Sequence, residues 1–261
     1  MSETVQGYAI ARAAAAYHAD GFCLSPVLVP DPALDAACAG IDEVLAGRYE
    51  TGAEPYARDW VPSEHEGDVV TVAEPRRCNR AIRAAIVRPE LSAWAIGLTG
   101  AHHVEIIAVD LFLKGPTTSG RAHVGWHQDA PFLQDEDEVL TAWLALSDVS
   151  SDSSPLLYVR GSHRGGTHTA RDHFFAADLD TERLRALLPA GQEPDIVAVS
   201  LPRGALSFHH RHTVHASGAN TTVLPRISLA IRLRVCRTAE VGPALPGHDL
   251  IPLYKPAATA G

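Results

Sequence analysis

A histidine and an aspartate two residues apart are well suited to binding a metal ion together. His127 and Asp129 lie in the segment Gly125-Trp126-His127-Gln128-Asp129. On a strand that runs into a turn, residues two apart point to the same side, so both side chains can converge on one ion. Non-haem iron(II) oxygenases bind their metal with two imidazoles and one carboxylate and leave the other positions open. This pair would supply two of those three ligands.

By itself such a triplet is a weak signal in a chain with 14 histidines and 31 acidic residues. Arg171-Asp172-His173 shows how readily these residue types meet. In an ordinary structural role, Asp129 would cap a turn and His127 would pack beside Trp126. A third ligand elsewhere in the sequence is therefore needed to support a metal site.

The segment from Phe208 to His215 offers four histidines for that third position. If the strand is regular, period-two alternation places His210 and His212 on one face and His209 and His215 on the other. The pattern alone leaves His209 and His215 as competing candidates.

Several further motifs make the chain resemble the phytanoyl-CoA dioxygenase family of 2-oxoglutarate-dependent oxygenases. They follow the family order from roughly Tyr17 to Val235. The matching segments are the weaker Asp20-Gly21-Phe22, then Lys114-Gly115-Pro116, Gly125-Trp126-His127-Gln128-Asp129, Thr141-Ala142-Trp143, Gly161-Ser162-His163, and His215-Ala216-Ser217-Gly218-Ala219-Asn220 with Arg226.

The resemblance implies that His127, Asp129 and His215 are the iron ligands, because His215 precedes the Ser-Gly of the family's distal motif. It also implies that His209, His210 and His212 are strand or pocket-rim residues. The expected cofactor is iron(II), with 2-oxoglutarate as cosubstrate and O2 as oxidant.

The resemblance further implies that Arg226 binds the far carboxylate of 2-oxoglutarate, a role that suits a planar guanidinium. Ser217 and Trp143 match positions that contact the cosubstrate. Asp110 aligns with an inward-facing pocket position, and we expect it to contact substrate, since an unpaired acid would repel a bound diacid. No catalytic acid or base is expected.

This chain departs from the family pattern in three places. Ser153-Ser154 stand where relatives typically carry glycine, and Arg160 stands where proline is usual. A lysine that helps bind the cosubstrate in some members has no counterpart near Val70-Thr71-Val72. The 1-carboxylate end of 2-oxoglutarate therefore lacks a predicted side-chain partner.

The reaction implied by the resemblance is the oxidation of an unactivated carbon of a small molecule. Related halogenases replace the carboxylate ligand by a small residue, so the retained Asp129 favours hydroxylation, desaturation or oxidative ring closure. The polar loops suit a polar substrate, and similar bacterial proteins tailor secondary metabolites, including sugar-containing antibiotics with orthoesters. The alternative is a cupin-like metal-binding or sensing domain without oxygen chemistry.

The surrounding sequence predicts a mainly β fold with flanking α-helices. Helical patterns cover Val5 to Ala19, Ala33 to Ala46 after Pro32, and Arg80 to Ile96 after the capping residue Asn79. Short β-branched and aromatic runs follow from His103 onward. We expect one domain over residues 1–261, with helices at about 4–100 and a double-stranded β-helix, the jelly-roll core of cupins, at about 103–236.

Composition excludes several other classes of protein. The net charge is −9 and no basic run exceeds the pair Arg76-Arg77, which argues against a nucleic-acid or anionic-membrane surface. The N-terminal residues lack the positive flank of a secretory signal, and no apolar stretch is long enough to span a membrane. The four cysteines form no CxxC pair. We therefore expect a cytoplasmic enzyme with a small-molecule substrate.

Overall fold

The computed structural model describes residues 3–58, 68–117, 122–133, 138–168, 174–176, 178–241 and 249–255. Within these residues the α-helices are α1 (Glu3–Asp20), α2 (Asp31–Leu45), α3 (Arg80–Ile86), α4 (Pro89–Thr99) and α5 (Thr181–Ala186). The strands are β1 (Phe22–Val27), β2 (Ala57–Arg58), β3 (Val70–Ala73), β4 (His103–Lys114), β5 (His123–His127), β6 (Val139–Ala145), β7 (Leu156–Val159), β8 (Phe175–Ala176), β9 (Ile196–Val199), β10 (Ala205–His210), β11 (His215–Ser217), β12 (Arg226–Cys236) and β13 (Ile251–Tyr254).

The strands form two antiparallel sheets. The larger sheet has the order β1-β10-β6-β12-β4-β3-β2, with β13 paired to β4, and the smaller has the order β8-β5-β11-β7-β9. This confirms the predicted mainly β, jelly-roll fold with flanking helices. That the chain is a single domain stays a prediction.

Strict alternation along the larger sheet separates its two faces. On β12, Leu229, Ile231 and Leu233 belong to the main hydrophobic core with the helices. The intervening Ala230 and Arg232 line a cavity between the sheets. Strands β6 and β10 alternate in the same way. The helices therefore support the outer face of the sheet, and the inner face is left to carry polar side chains.

The predicted helix from Arg80 to Ile96 is wrong as one element, since it consists of α3 and α4. Pro89 begins α4, and Arg88 before it has extended φ and ψ of −116° and 142°. Proline disfavours helical backbone at the preceding residue and cannot donate the backbone hydrogen bond that a continuous helix needs. The predicted cap is observed, with Asn79 Oδ1 accepting from the backbone N–H groups of Ala81 and Ile82.

The segment Ile251–Tyr254 lies beyond the predicted jelly-roll core, which ended at about residue 236. These residues form β13, which pairs with the start of β4 in the register Ile251↔Ile106 to Tyr254↔His103. Residues 242–248 and 256–261 lie outside the described part of the chain. Among the described helices, none is both long enough and apolar enough to cross a membrane.

Candidate metal centre

The structure brings His127, Asp129 and His215 together at the inner edge of the smaller sheet. His127 ends β5, Asp129 follows it, and His215 begins β11 directly opposite His127 in the ladder. One potential ligand atom from each residue lies within 4.8 Å of the others, and the two ring centroids are 4.1 Å apart. All three residues are buried. Two imidazoles and one carboxylate are the donor set that suits a non-haem iron(II) site.

The two imidazoles are oriented in the same way by the backbone. Nδ1 of His127 lies 2.8 Å from the carbonyl oxygen of Gly125, and Nδ1 of His215 lies 2.9 Å from that of Thr213. A carbonyl can only accept, so each Nδ1 carries the proton and each Nε2 keeps its lone pair for a metal. Burial lowers the pKa of His127 to about 4 and that of His215 well below its usual value, which keeps both rings neutral.

His209, the competing candidate, lies beside this group, with its ring centroid 4.4 Å from that of His215. Its nitrogens already have partners: Nε2 is 3.1 Å from Asp129 Oδ2, and Nδ1 is 2.9 Å from the Tyr158 hydroxyl. This arrangement favours His215 as the third ligand, because both nitrogens of His209 are engaged.

The carboxylate of Asp129 is surrounded by donors. The hydroxyl of Thr141 on β6 donates to Oδ2, and an Nη of Arg232 on β12 lies 3.7 Å from Oδ1. Burial alone would raise the pKa of Asp129, but Arg232 and the hydrogen bond from His209 hold it well below its usual range. The group is therefore a carboxylate, as a metal ligand must be. Neither Thr141 nor Arg232 was singled out from the sequence as a supporter of Asp129, because strand register brings them there.

At the other end of the cavity, Arg226 is buried without a carboxylate partner among the described residues. Its Nη1 donates to the Ser228 hydroxyl at 2.6 Å, its Nη2 reaches Ser154 at 3.5 Å, and its Nε has no partner. The guanidinium carbon lies 5.2 Å from the ring centroid of Trp143, and Trp143 and Arg226 both line the cavity. Burial lowers the pKa of Arg226 to about 9. A bound anion would raise this pKa again, because an opposite charge nearby favours the charged form of the guanidinium.

Lys114 is a second buried cation at this end, and its role was not predicted. Its Nζ donates to the hydroxyl of Ser217 at 2.7 Å and to the carbonyl oxygens of Ser217 and Gly218 at 3.1 and 2.7 Å. Because Lys114 already donates to the Ser217 oxygen, the Ser217 proton is left to donate into the cavity. Burial and the nearby Arg226 lower the pKa of Lys114 well below its usual value, and a bound dianion would oppose both effects.

Ser154 belongs to the pair Ser153-Ser154 at which the resemblance leads us to expect glycine, and its backbone conformation suits a glycine. Its φ is 65°, in the left-handed region that most side chains avoid. The Ser154 hydroxyl donates to the Gly218 carbonyl at 2.6 Å and faces Arg226. This departure therefore adds a polar group to the cationic end of the cavity.

Asp110 forms an ion pair with Arg232, which itself lines the cavity. The predicted repulsion between Asp110 and a bound diacid is therefore reduced by this pairing. Whether Asp110 contacts substrate stays a prediction.

Aromatic rings lie beside the metal-ligand candidates, and two of them, Phe112 and Phe174, line the cavity. The ring centroid of Phe174 lies 4.7 Å from that of His127, 5.7 Å from that of Phe132 and 6.3 Å from that of Phe112. Phe132 is 45% exposed. An apolar surface thus lies directly beside a metal-ligand candidate, although the sequence composition had suggested a polar pocket.

A second group of potential ligands, His103, Glu105 and Cys236, also falls within 4.8 Å. Here Arg234 Nε donates to Glu105 at 2.8 Å and already neutralises the only carboxylate. The donor set of His127, Asp129 and His215 fits a divalent iron better, because two imidazoles and one carboxylate are the ligands that a non-haem iron(II) site uses.

Comparison with known proteins agrees with this geometry. The family model described as phytanoyl-CoA dioxygenase (PhyH) matches residues 17–228. Phytanoyl-CoA dioxygenase domain-containing protein 1 of Bos taurus is 30% identical over an alignment of 135 residues. The match covers 47% of this chain and 46% of that protein. A probable alpha-ketoglutarate-dependent hypophosphite dioxygenase of Stutzerimonas stutzeri is 30% identical over 115 residues, 42% and 39% of the two chains. The matches span less than half the length of these curated relatives.

Solved structures give longer matches. The carbocyclase SnoK from nogalamycin biosynthesis, described as non-heme and alpha ketoglutarate dependent, superposes with a TM-score of 0.71 at 25% identity, covering 93% of this chain and 95% of SnoK. The epimerase SnoN, in complex with Fe3+, alpha ketoglutarate and nogalamycin RO, gives a TM-score of 0.68 at 26% identity over 87% and 84% of the chains.

Proposed function

Because the chain belongs to the phytanoyl-CoA dioxygenase family, we propose that it is an iron(II)- and 2-oxoglutarate-dependent oxygenase acting on a small molecule. The observation that carries the proposal is one cavity with two neutral imidazoles and a carboxylate at one side and a buried guanidinium without a described carboxylate partner at the other. His127, Asp129 and His215 would hold the metal. When bound, iron(II) and 2-oxoglutarate supply O2 activation and the oxidation of a carbon–hydrogen bond.

The cationic end suits the far carboxylate of 2-oxoglutarate. Arg226 would bind this group through its Nε and Nη atoms, and charge-assisted hydrogen bonds of this kind are the strong ones. The Ser217 hydroxyl would donate to the same carboxylate, oriented by Lys114. Trp143 would form the wall that excludes water from the ion pair. No residue of the site is required to transfer a proton.

For the substrate, we propose a ring-bearing secondary metabolite that places an apolar face on Phe112, Phe132 and Phe174. Aromatic side chains bury a large apolar area and stack with other aromatic rings in preferred geometries. The relatives SnoK and SnoN from nogalamycin biosynthesis support a tailoring role. A sugar-containing antibiotic that carries such a ring fits the same proposal. Hydroxylation, desaturation, epimerisation and ring closure, including orthoester formation, all use this same site.

The alternative of a cupin-like binding domain without oxygen chemistry leaves Arg226 unexplained. A buried cation without a counter-charge costs stability, and such a cost is retained where a ligand offsets it. Metal binding alone requires no cation at that end of the cavity.

Succinate release tests the proposed function. Purified protein with iron(II), 2-oxoglutarate, ascorbate and O2 is expected to form succinate slowly by itself and faster with a substrate. Asp129→Ala should abolish this release, because it removes a metal ligand, and Arg226→Ala should reduce it, because it removes the carboxylate partner. Anaerobic spectra should show a visible iron-cosubstrate band in the wild type only. Metal binding without the band and without succinate would favour the binding-domain alternative.

A matched pair of probes tests the substrate class. An anthraquinone glycoside and an oligosaccharide of the same number of sugars can be compared for their stimulation of 2-oxoglutarate turnover. We expect stimulation by the anthraquinone glycoside, lost in Phe174→Ser. Equal stimulation by the oligosaccharide would contradict the proposed recognition of the aromatic ring system.

A further inference from the structure

We infer that His209 is a positioning residue that holds Asp129 so that its carboxylate offers the metal a single oxygen. The inference rests on the proposed function and adds a role for a residue outside the predicted ligand and cosubstrate set. His209 lies on β10 in the larger sheet, whereas His127 and His215 lie on β5 and β11 of the smaller one. It therefore reaches the carboxylate from the opposite side of the cavity.

The donors are distributed unequally over the two oxygens of Asp129. Oδ2 accepts from Thr141 Oγ1 and lies 3.1 Å from His209 Nε2, while Oδ1 has Arg232 at the longer distance of 3.7 Å. Two donors occupy the lone pairs of a carboxylate oxygen. Oδ1 is thus the oxygen that remains able to bind a cation.

The direction of the His209 hydrogen bond is fixed by its other neighbours. The carboxylate of Asp129 can only accept, so His209 Nε2 carries the proton, and in that tautomer Nδ1 accepts. The Tyr158 hydroxyl, 2.9 Å away, donates to Nδ1, and Ser207 Oγ, 2.9 Å from the same hydroxyl, donates to it in turn. Ser207, Tyr158 and His209 form a one-way chain of buried donors that ends on Asp129.

Single-oxygen binding matters because of the number of positions around iron. Three protein ligands and a chelating cosubstrate occupy five of about six positions of an octahedral metal. A carboxylate that bound through both oxygens would occupy the sixth. By engaging Oδ2, His209 and Thr141 reserve that position, and they also fix the rotation of the carboxylate.

Metal titration of four variants tests this role without substrate. His209→Phe keeps a ring but removes the donor, His209→Gln keeps a donor, Thr141→Val removes the second donor at nearly constant shape, and His210→Phe is the matched neighbour control. Anaerobic titrations with cobalt(II), followed by its visible absorption, give the affinity. Titrations with iron(II) and 2-oxoglutarate give the position of the charge-transfer band.

His209→Phe and Thr141→Val are expected to weaken cobalt(II) binding by about 10- to 100-fold, the usual cost of losing a hydrogen bond to a metal ligand. Both should shift the iron-cosubstrate band. His209→Gln should recover most of the affinity and the band position, and His210→Phe should resemble the wild type. Thermal unfolding of the metal-free variants separates misfolding from a local effect, and Thr141→Val keeps the test decisive if His209→Phe does not fold.

Unchanged affinity and spectrum in both donor-removing variants would overturn the inference while leaving the proposed function intact. Equal losses in His209→Gln and His209→Phe would also overturn it, because a donor at that position would then not be what matters. A wild-type protein that binds neither metal would instead contradict the proposed function, and the inference with it.

Discussion

At the scale of the residue, the histidines of the site differ in whether a ring nitrogen is left without a hydrogen-bond partner and so can bind a metal. His127 and His215 donate through Nδ1 to backbone carbonyls and keep Nε2, while His209 uses both nitrogens on side chains. The alternation of the sequence put His209 and His215 on one strand face and could not separate them. Hydrogen-bond partners distinguish them, and those partners depend on the register between strands distant in sequence.

Replacing Arg226 tests the cationic end. We expect Arg226→Leu to raise the KM for 2-oxoglutarate by about 10- to 100-fold, because a charge-assisted hydrogen bond contributes about 1.5–3 kcal/mol. Arg226→Lys should recover only part of this loss, since an ammonium cannot make two parallel bonds. The measurement is succinate formation against 2-oxoglutarate concentration. The exposed Arg185→Leu is the control, and equal KM values in Arg226→Leu and the control would contradict this role.

At the scale of the element, the β-branched and aromatic runs predicted from His103 onward include the central strands β4, β6, β10 and β12 of the larger sheet. The unpredicted β1 and β13 each contain a proline, Pro26 and Pro252. A proline normally argues against a strand because it cannot donate to the ladder. Each of these strands pairs with one neighbour only, β1 with β10 and β13 with β4. A missing backbone donor is tolerated on the unpaired side of such a strand. Helix boundaries were predicted where a capping residue marked them, and the break before α4 was missed although Pro89 signals it.

The cap at Asn79 gives a prediction about helix stability. Asn79→Ala should lower the free energy of unfolding by about 1 kcal/mol, because two backbone N–H groups of α3 lose their acceptor. Asn79→Ser, which retains a capping oxygen, should lose less. Urea denaturation of the three proteins measures the difference. If serine is as destabilising as alanine, then packing of Asn79 against α2 is what the side chain contributes.

At the scale of the whole molecule, the buried histidines make the metal-free fold sensitive to acid. Burial lowers the pKa of His210 and of His127 to about 4, and that of His215 well below its usual value. In the unfolded chain these rings have a pKa of about 6.5. Between about pH 6.5 and 4 the unfolded chain therefore binds more protons than the folded one.

The free energy of unfolding of the metal-free protein should therefore fall as the pH falls through this range. Urea denaturation at pH 7.5, 6.0 and 5.0 measures the slope. His210→Gln should have a shallower slope, since it removes one of the three rings and none of the metal ligands. The same slope in the variant and the wild type would show that His210 titrates normally in the folded state.

The alternation along β12 has a consequence for how relatives can diverge. Inserting or deleting one residue between Arg226 and Arg232 would turn the rest of β12 over. Each of its cavity side chains beyond the change would then be replaced by one that now packs in the core. Insertions and deletions in this strand are therefore expected to be lost by selection. Single substitutions leave this alternation intact, so we expect relatives to differ in this strand by substitutions. Ala230 lies opposite Trp143 in the ladder. Of the β12 residues that line the cavity, it has the smallest side chain. It is the position where one exchange could reshape the pocket while leaving the metal ligands untouched.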